Sequence, residues 1–312
     1  MLATKHIPVM MDKAIDALNV RDDLNYIDVT FGMGGYSEAI LEKAKCNLLA
    51  LDKDSYVSGF AKKIKNKYKK RFSFINKDFN SLDNILERRK SISINGGIVA
   101  DLGVSSMQID DEKRGFSFMR DGPLDMRMNC RGMSAKDLIS NADEKELSKI
   151  LWEYGEEKQS RAIARLIVKE RELYAIDSTF KLVKIIKKAK KNYYKKKTHP
   201  ATQTFQAIRI YINKELESLA GLLKLSENIL LPGARLVIIT FHSLEDRMVK
   251  IFFNKLSGKQ SNLNRHLPQL KINKTIKFKA LSNKPINPSV EEINENNRAR
   301  SAKLRAVERI VI

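Results

Sequence analysis

The chain predicts an α/β fold whose parallel sheet binds its ligand at the carboxyl ends of the strands, and three observations carry this. Residues 26–30, YIDVT, are apolar and β-branched enough for a buried strand; Gly32, Gly34 and Gly35 follow at once, and SEAILEKA then reads as a helix. A second strand over residues 48–51 ends on Asp52, at the ~20-residue separation where an acid meets the hydroxyls of a bound ribose. Apolar strand runs recur at GGIVAD and LVIIT, each ending where sheets of this class hold ligands.

Glycines are needed after the first strand because the turn takes unusual dihedrals and because a Cβ would block a ligand lying on the backbone. An ordinary tight βα turn explains the same cluster without any ligand. The full G-x-G-x-x-G of dinucleotide sites is absent, since the cluster is G-x-G-G with a larger residue at the third position. That favours S-adenosylmethionine, which has no pyrophosphate to cradle, over NAD as the rival.

The elements follow in order. HIPVMMDKAIDAL reads as an extended piece and then a helix with Met11, Ile15 and Leu18 on one face. Beyond Asp52, a basic stretch has apolar residues at helical spacing, and FSFIN is a third strand leading to Asp78 and Phe79. An aromatic there either covers an adenine ring or packs into the core. ILERRK is helical, and the fourth strand ends on Asp101. From Ser105 the pattern becomes irregular, with aromatic and methionine content that argues for a functional loop rather than disorder. Three helical stretches come next, the first opening on Ser134 with Asp137 three residues later as a capping pair. Lys187 to Lys197, interleaved with Tyr193 and Tyr194, is the densest run of positive charge, read as a phosphate-binding arm or a solvated helix end. A long helix carrying Phe205, Ile208, Ile212, Leu216 and Leu219 on one stripe leads into the fifth strand, which delivers FHSLEDR to the sheet edge. The tail predicts a loop over residues 259–270, a strand at FKALSNKPI, a turn at NPSVEEINENNRARS and an edge strand or hairpin at the alternating AKLRAVERIVI.

Composition narrows the class. With 312 residues and 43% apolar content the chain can bury a real core. Lys and Arg total 58 against 37 acids, a net charge of +21 that points to a polyanionic partner such as nucleic acid, the bland alternative being a solvated cationic surface. Two cysteines, Cys46 and Cys130, supply neither a disulfide framework nor a zinc site, so no metal is expected and a reducing compartment fits. No run reaches the ~18 apolar residues of a membrane span, and the expected location is the cytosol.

Four longer motifs carry a resemblance: DLGVSSMQIDDEKRGFSFMRDGPLDMRM, HPATQTFQAIRIYIN, FHSLEDR and NNRARSAKLR. Together they resemble the bacterial small-subunit ribosomal RNA cytosine methyltransferases of the MraW type, over nearly the whole chain. The resemblance implies a class I S-adenosylmethionine-dependent methyltransferase (Rossmann-like) sheet, residues 1–109 and 203–312, interrupted by a helical substrate-recognition domain, residues 110–202. It implies methylation of the 4-amino group of a cytidine in the decoding centre, with small-subunit ribosomal RNA or the assembled small subunit as partner. Carried over residue by residue, the cofactor contacts fall on Gly34, Gly35, Tyr36, Asp52, Phe79, Asp101 and Gln108. Many members have a basic residue where Met33 stands and His where Tyr36 stands, so contacts there rest on the backbone.

Methyl transfer from a sulfonium needs placement more than acid or base help. Acceptors for the amine protons at the sheet edge are Asp101, Glu245 and Asp246, with His242 right after the fifth strand. His242 and Asp246 are therefore the catalytic candidates. The Asn- or Asp-Pro-Pro-aromatic motif of other amine methyltransferases is absent at the fourth strand, and Phe116 or Phe118 would either supply the missing stacking ring or pack in a core. A nicotinamide oxidoreductase and a non-catalytic RNA-binding module are the competing classes.

Overall fold

A computed structural model describes residues 8–89, 93–190, 198–258 and 276–310. The chain divides into two compact units, Met1–Gly103 with Glu217–Ile312, and Val104–Leu216.

The first unit is built on seven strands: β1 (Asn25–Asp28), β2 (Asn47–Asp52), β3 (Phe72–Asn76), β4 (Gly97–Asp101), β5 (Arg235–Thr240), β6 (Phe278–Ala280) and β7 (Lys303–Arg309). Their order in the sheet is β3-β2-β1-β4-β5-β7-β6. The first five run parallel, and β7 lies antiparallel between β5 and β6. This order, with its reversed β7, is that of the class I methyltransferase sheet. Parallel strands covered on both faces must be apolar without alternation, which is why NLLALD and RLVIIT read as continuous runs. Ile27, Leu51, Ile98, Leu236 and Ile238 form its core with Leu222 and Val249 from covering helices. Those include α1 (Met11–Leu18), α2 (Gly35–Lys43), α3 (Ser58–Tyr68) and α4 (Leu82–Arg88).

The second unit is helical: α5 (Ser106–Asp110), α6 (Ala135–Asn141), α7 (Glu144–Gly155), α8 (Ser160–Arg171), α9 (Thr179–Ala189) and α10 (Thr202–Asn213). The Ser134 and Asp137 pair closes a capping box at the start of α6, as its spacing predicts. Phe116, Leu124, Met126 and Met128, from the irregular stretch after Ser105, enter the core of this unit. Against the expected limits of residues 110 and 202, the compact unit runs from Val104 to Leu216. The reason is α10, whose Phe205, Ala207 and Ile208 belong to the helical core.

Three local readings change. The long helix expected around residues 202–229 is two, α10 and α11 (Glu215–Ile229), because Lys214 takes a left-handed φ of 51°. The region expected as a turn holds a short helix at Val290–Glu295, capped by the Ser289 hydroxyl accepting the Glu292 N–H at 3.1 Å. β7 is an interior strand, with Leu304, Ala306 and Val307 buried and its other residues partly exposed. The expected loop over residues 259–270 and most of the lysine run, residues 191–197, lie outside the described residues.

Candidate active site

The carboxyl edge of the sheet gathers three acids. Asp28 ends β1, Asp52 ends β2 and Asp101 ends β4. Asp28 is fully buried: its carboxylate accepts the Ser37 hydroxyl at 2.7 Å and the Thr30 N–H at 3.1 Å. Burial pushes its pKa up to about 6, against those two hydrogen bonds.

Asp52 organises the glycine turn. One carboxylate oxygen accepts the Gly32 N–H at 2.7 Å and the other accepts the Asp54 N–H at 2.8 Å. Desolvation at the strand end raises its pKa to about 6 as well. Each oxygen retains a second lone pair, the requirement for accepting two ribose hydroxyls. The carbonyl of Asp52 is in turn held by the Asn76 amide at 2.8 Å.

The glycines divide by what surrounds them. A Cβ on Gly34, at φ 86°, would lie 2.4 Å from Ile64 and 2.9 Å from the Phe31 ring, and one on Gly35 would lie 2.1 Å from Pro8. Those two positions are closed by the chain's own packing. A Cβ on Gly32 would meet nothing nearer than 3.9 Å, so the backbone surface open to a ligand is at Gly32.

Asp101 is the unsatisfied member of the set. Its backbone N–H is held by the Thr30 hydroxyl at 2.7 Å, but its buried Oδ1 has no hydrogen-bond partner among the described residues. Burial, and then the nearby charges of Asp28 and Glu245, drive its pKa well above the carboxylate range. A buried acceptor without a donor fits a ligand that brings an N–H or a positive charge. S-Adenosylmethionine brings both, on its ammonium and its sulfonium.

Phe79 begins a single helical turn just past β3 and is half-buried against the sheet core. The turn is fixed by Asp78, which accepts the Asn80 N–H at 2.9 Å, and by the Asn80 amide donating to Ser218 at 2.7 Å. Tyr36 is buried, its hydroxyl donating to the Val9 carbonyl and its pKa raised by that burial. Its side chain is therefore bound into the fold, and only its backbone remains for a cofactor. Gln108 belongs to the helical unit, where it completes a capping box with Ser105. Phe116 is buried in that unit's core, and Phe118 stacks on His199 with ring centroids 4.7 Å apart.

FHSLEDR turns β5 into a helix, α12 (Ser243–Leu256), through a reciprocal lock. His242 Nδ1 accepts the Glu245 N–H at 3.4 Å, and the Glu245 carboxylate accepts the Phe241 N–H at 2.9 Å. This puts the proton of a neutral His242 ring on Nε2, 3.1 Å from Glu245 Oε1. Asp246 accepts from Arg305 Nε at 2.7 Å and Lys303 Nζ at 3.1 Å. Burial opposes its charge, yet the two cations outweigh burial and hold the carboxyl below its usual pKa.

Asp28, Ser37 and Thr30 are the parts that motif reading passes over. Their signal is an acid within an apolar strand run, YIDVT, which only a hydrogen-bonding role makes tolerable. Among the described residues no helix is long and apolar enough to cross a membrane.

Ribosomal RNA small subunit methyltransferase H of Rickettsia bellii strain RML369-C is 47% identical over 306 residues, covering 98% of this chain and 99% of that protein. The protein of the same name from Rickettsia prowazekii is 46% identical over 307 residues, again covering 98% and 99%. A solved rRNA methylase of Streptococcus thermophilus aligns with 99% of this chain and 100% of its own at 12% identity and a TM-score of 0.40. The model of the MraW methylase family matches residues 3–310, and the chain belongs to that family.

Proposed function

We propose that this protein transfers the methyl group of S-adenosylmethionine to the 4-amino group of a cytidine in small-subunit ribosomal RNA, in the decoding centre. The observation that carries the reading is the near full-length identity to proteins named ribosomal RNA small subunit methyltransferase H. The acids at the sheet edge supply the chemistry it requires.

When bound, S-adenosylmethionine supplies an electrophilic methyl on a cationic sulfur whose departure leaves a neutral thioether. The chain's own residues hold and orient. Asp52 would take the ribose hydroxyls, Phe79 the adenine face, Asp101 the charged methionine end, and the open backbone at Gly32 the approach between them, with the Gly34, Gly35 and Tyr36 backbone behind it. Gln108 is a cofactor contact by family resemblance. Burial favours the neutral form of Asp101, and a cation bound beside it would offset that cost and favour the carboxylate.

The cytidine nitrogen forms the new bond and releases a proton. An amine conjugated with a pyrimidine ring is strongly acidic once alkylated, so that proton passes readily to solvent, and placement governs the rate. Asp246, held ionised by two cations, is a weak base; His242 turns its acceptor nitrogen to its own helix. Both act in this reading as positioning groups at the edge where the nucleotide enters. A cytidine within structured RNA must leave its stack to reach this edge, and the helical unit is assigned to hold the flanking RNA. Lys184 and Lys187 are exposed on α9, whereas Lys190 is buried.

The test is methyl transfer from labelled S-adenosylmethionine to free small-subunit ribosomal RNA and to assembled small subunits. Label in either supports the reading, and the better acceptor identifies the substrate form. Label in neither, from protein that binds S-adenosylmethionine, would overturn it.

A further inference from the structure

The NNRARSAKLR segment is not used by the cofactor site, and the sheet register places it beside that site. Lys303, the first residue of β7, lies opposite Thr240, the last of β5, and the Thr240 hydroxyl donates to the Lys303 carbonyl at 3.2 Å. In the parallel neighbour β4, Asp101 lies opposite Ile239. The basic segment therefore begins its strand at the carboxyl edge, where the target base must arrive.

Its mounting is rigid and its charge is in excess. Residues Asn297–Ser301 form a helical turn capped by Asn296, with Ala299 and Ala302 completely buried. On either side of Ala299, Arg298 and Arg300 are exposed. Asp246 then fixes both Lys303 and Arg305, so one negative charge is shared by two positive ones. The Lys303 side chain is 41% exposed, so its pairing with Asp246 is partly solvated and adds little to stability, while its charge stays open at the edge. Cations fixed in place beside a ligand edge are suited to phosphate, since little side-chain freedom is lost on contact.

We propose that Arg298 and Arg300, on their helical turn, and Lys303, held by Asp246 beside Arg305, contact the phosphate backbone of the RNA flanking the target nucleotide. This rests on the ribosomal RNA reading above. It assigns Asp246 as a positioning residue that sets where RNA lies.

Arg300→Gln and Lys303→Gln, singly and together, test the contact, with melting temperature and S-adenosylmethionine affinity as controls for folding. Filter binding of a small-subunit ribosomal RNA fragment is measured between about 50 and 200 mM salt. Each lost contact should lower the logarithmic salt slope by about 0.7–0.9 and raise the KM for RNA about fivefold or more. Unchanged salt slope and KM in the folded double variant would overturn the proposal. Asp246→Asn should raise KM while the pH profile of single-turnover transfer keeps its wild-type shape; loss of one limb of that profile would overturn the positioning role in favour of proton transfer. If the wild-type protein binds the fragment with the expected slope yet methylates no RNA, the activity reading fails and the contact stands. Binding with no dependence on salt would remove the contact by itself.

Discussion

Asp52 Oδ2 accepts the backbone N–H of Gly32 at 2.7 Å, tying the end of β2 to the turn that leaves β1. The acid spaced for a ribose is thus also the clamp on the backbone that a cofactor would lie against. Asp52→Ala should weaken S-adenosylmethionine binding by ~1.5–3 kcal/mol, the scale of a charge-assisted hydrogen bond. Calorimetry reads this directly, and unchanged affinity in a folded variant would remove Asp52 from the site.

Asp28 gives a pH prediction with a definite sign. Its pKa rises from 3.8 to about 6 on folding, so between those values the folded state holds a proton that the unfolded chain has lost. Its contribution to stability is full below pH 4 and fades as pH rises through about 6, a swing of roughly 3 kcal/mol. Asp28→Asn should therefore gain stability relative to wild type as pH goes from about 4.5 to about 7.5. Urea titration of the cofactor-free proteins at both values measures it; a difference that stays constant with pH would contradict the assignment.

The helical unit holds a buried ion pair between Lys190, at the end of α9, and Glu157, with the Lys190 ammonium also donating to the Pro200 carbonyl at 2.6 Å. Removing the acid alone leaves a buried charge without its counter-ion. Glu157→Ala should cost about 3–5 kcal/mol, seen as a lower denaturation midpoint. A loss below about 0.5 kcal/mol would mean that water reaches Lys190.

The sheet was legible from sequence because buried parallel strands leave uninterrupted apolar runs, and the acids at Asp52 and Asp101 end them at the ligand edge. The capping pair at Ser134 was legible because its geometry is local. What could not be read was set by distant partners. Lys214 breaks a continuous apolar stripe where Arg209 grips Glu215 at 2.8 Å and the Asn213 amide donates to the Met126 carbonyl at 2.7 Å. The glycine turn had the right residues for reasons partly hidden, since Gly34 and Gly35 are required by Phe31, Ile64 and Pro8. Asp246 has the sequence of an acid at a catalytic edge, and its partners Lys303 and Arg305 lie 57 and 59 residues downstream.

Nucleoside analysis reads the methylated atom itself. Purified protein is incubated with methyl-labelled S-adenosylmethionine and small ribosomal subunits from cells that lack the enzyme, and the RNA is digested and resolved by mass spectrometry. Label should appear in cytidine methylated on its 4-amino nitrogen and be lost with Asp52→Ala at limiting cofactor. Label on a ring carbon, on a ribose hydroxyl or on another base would contradict it.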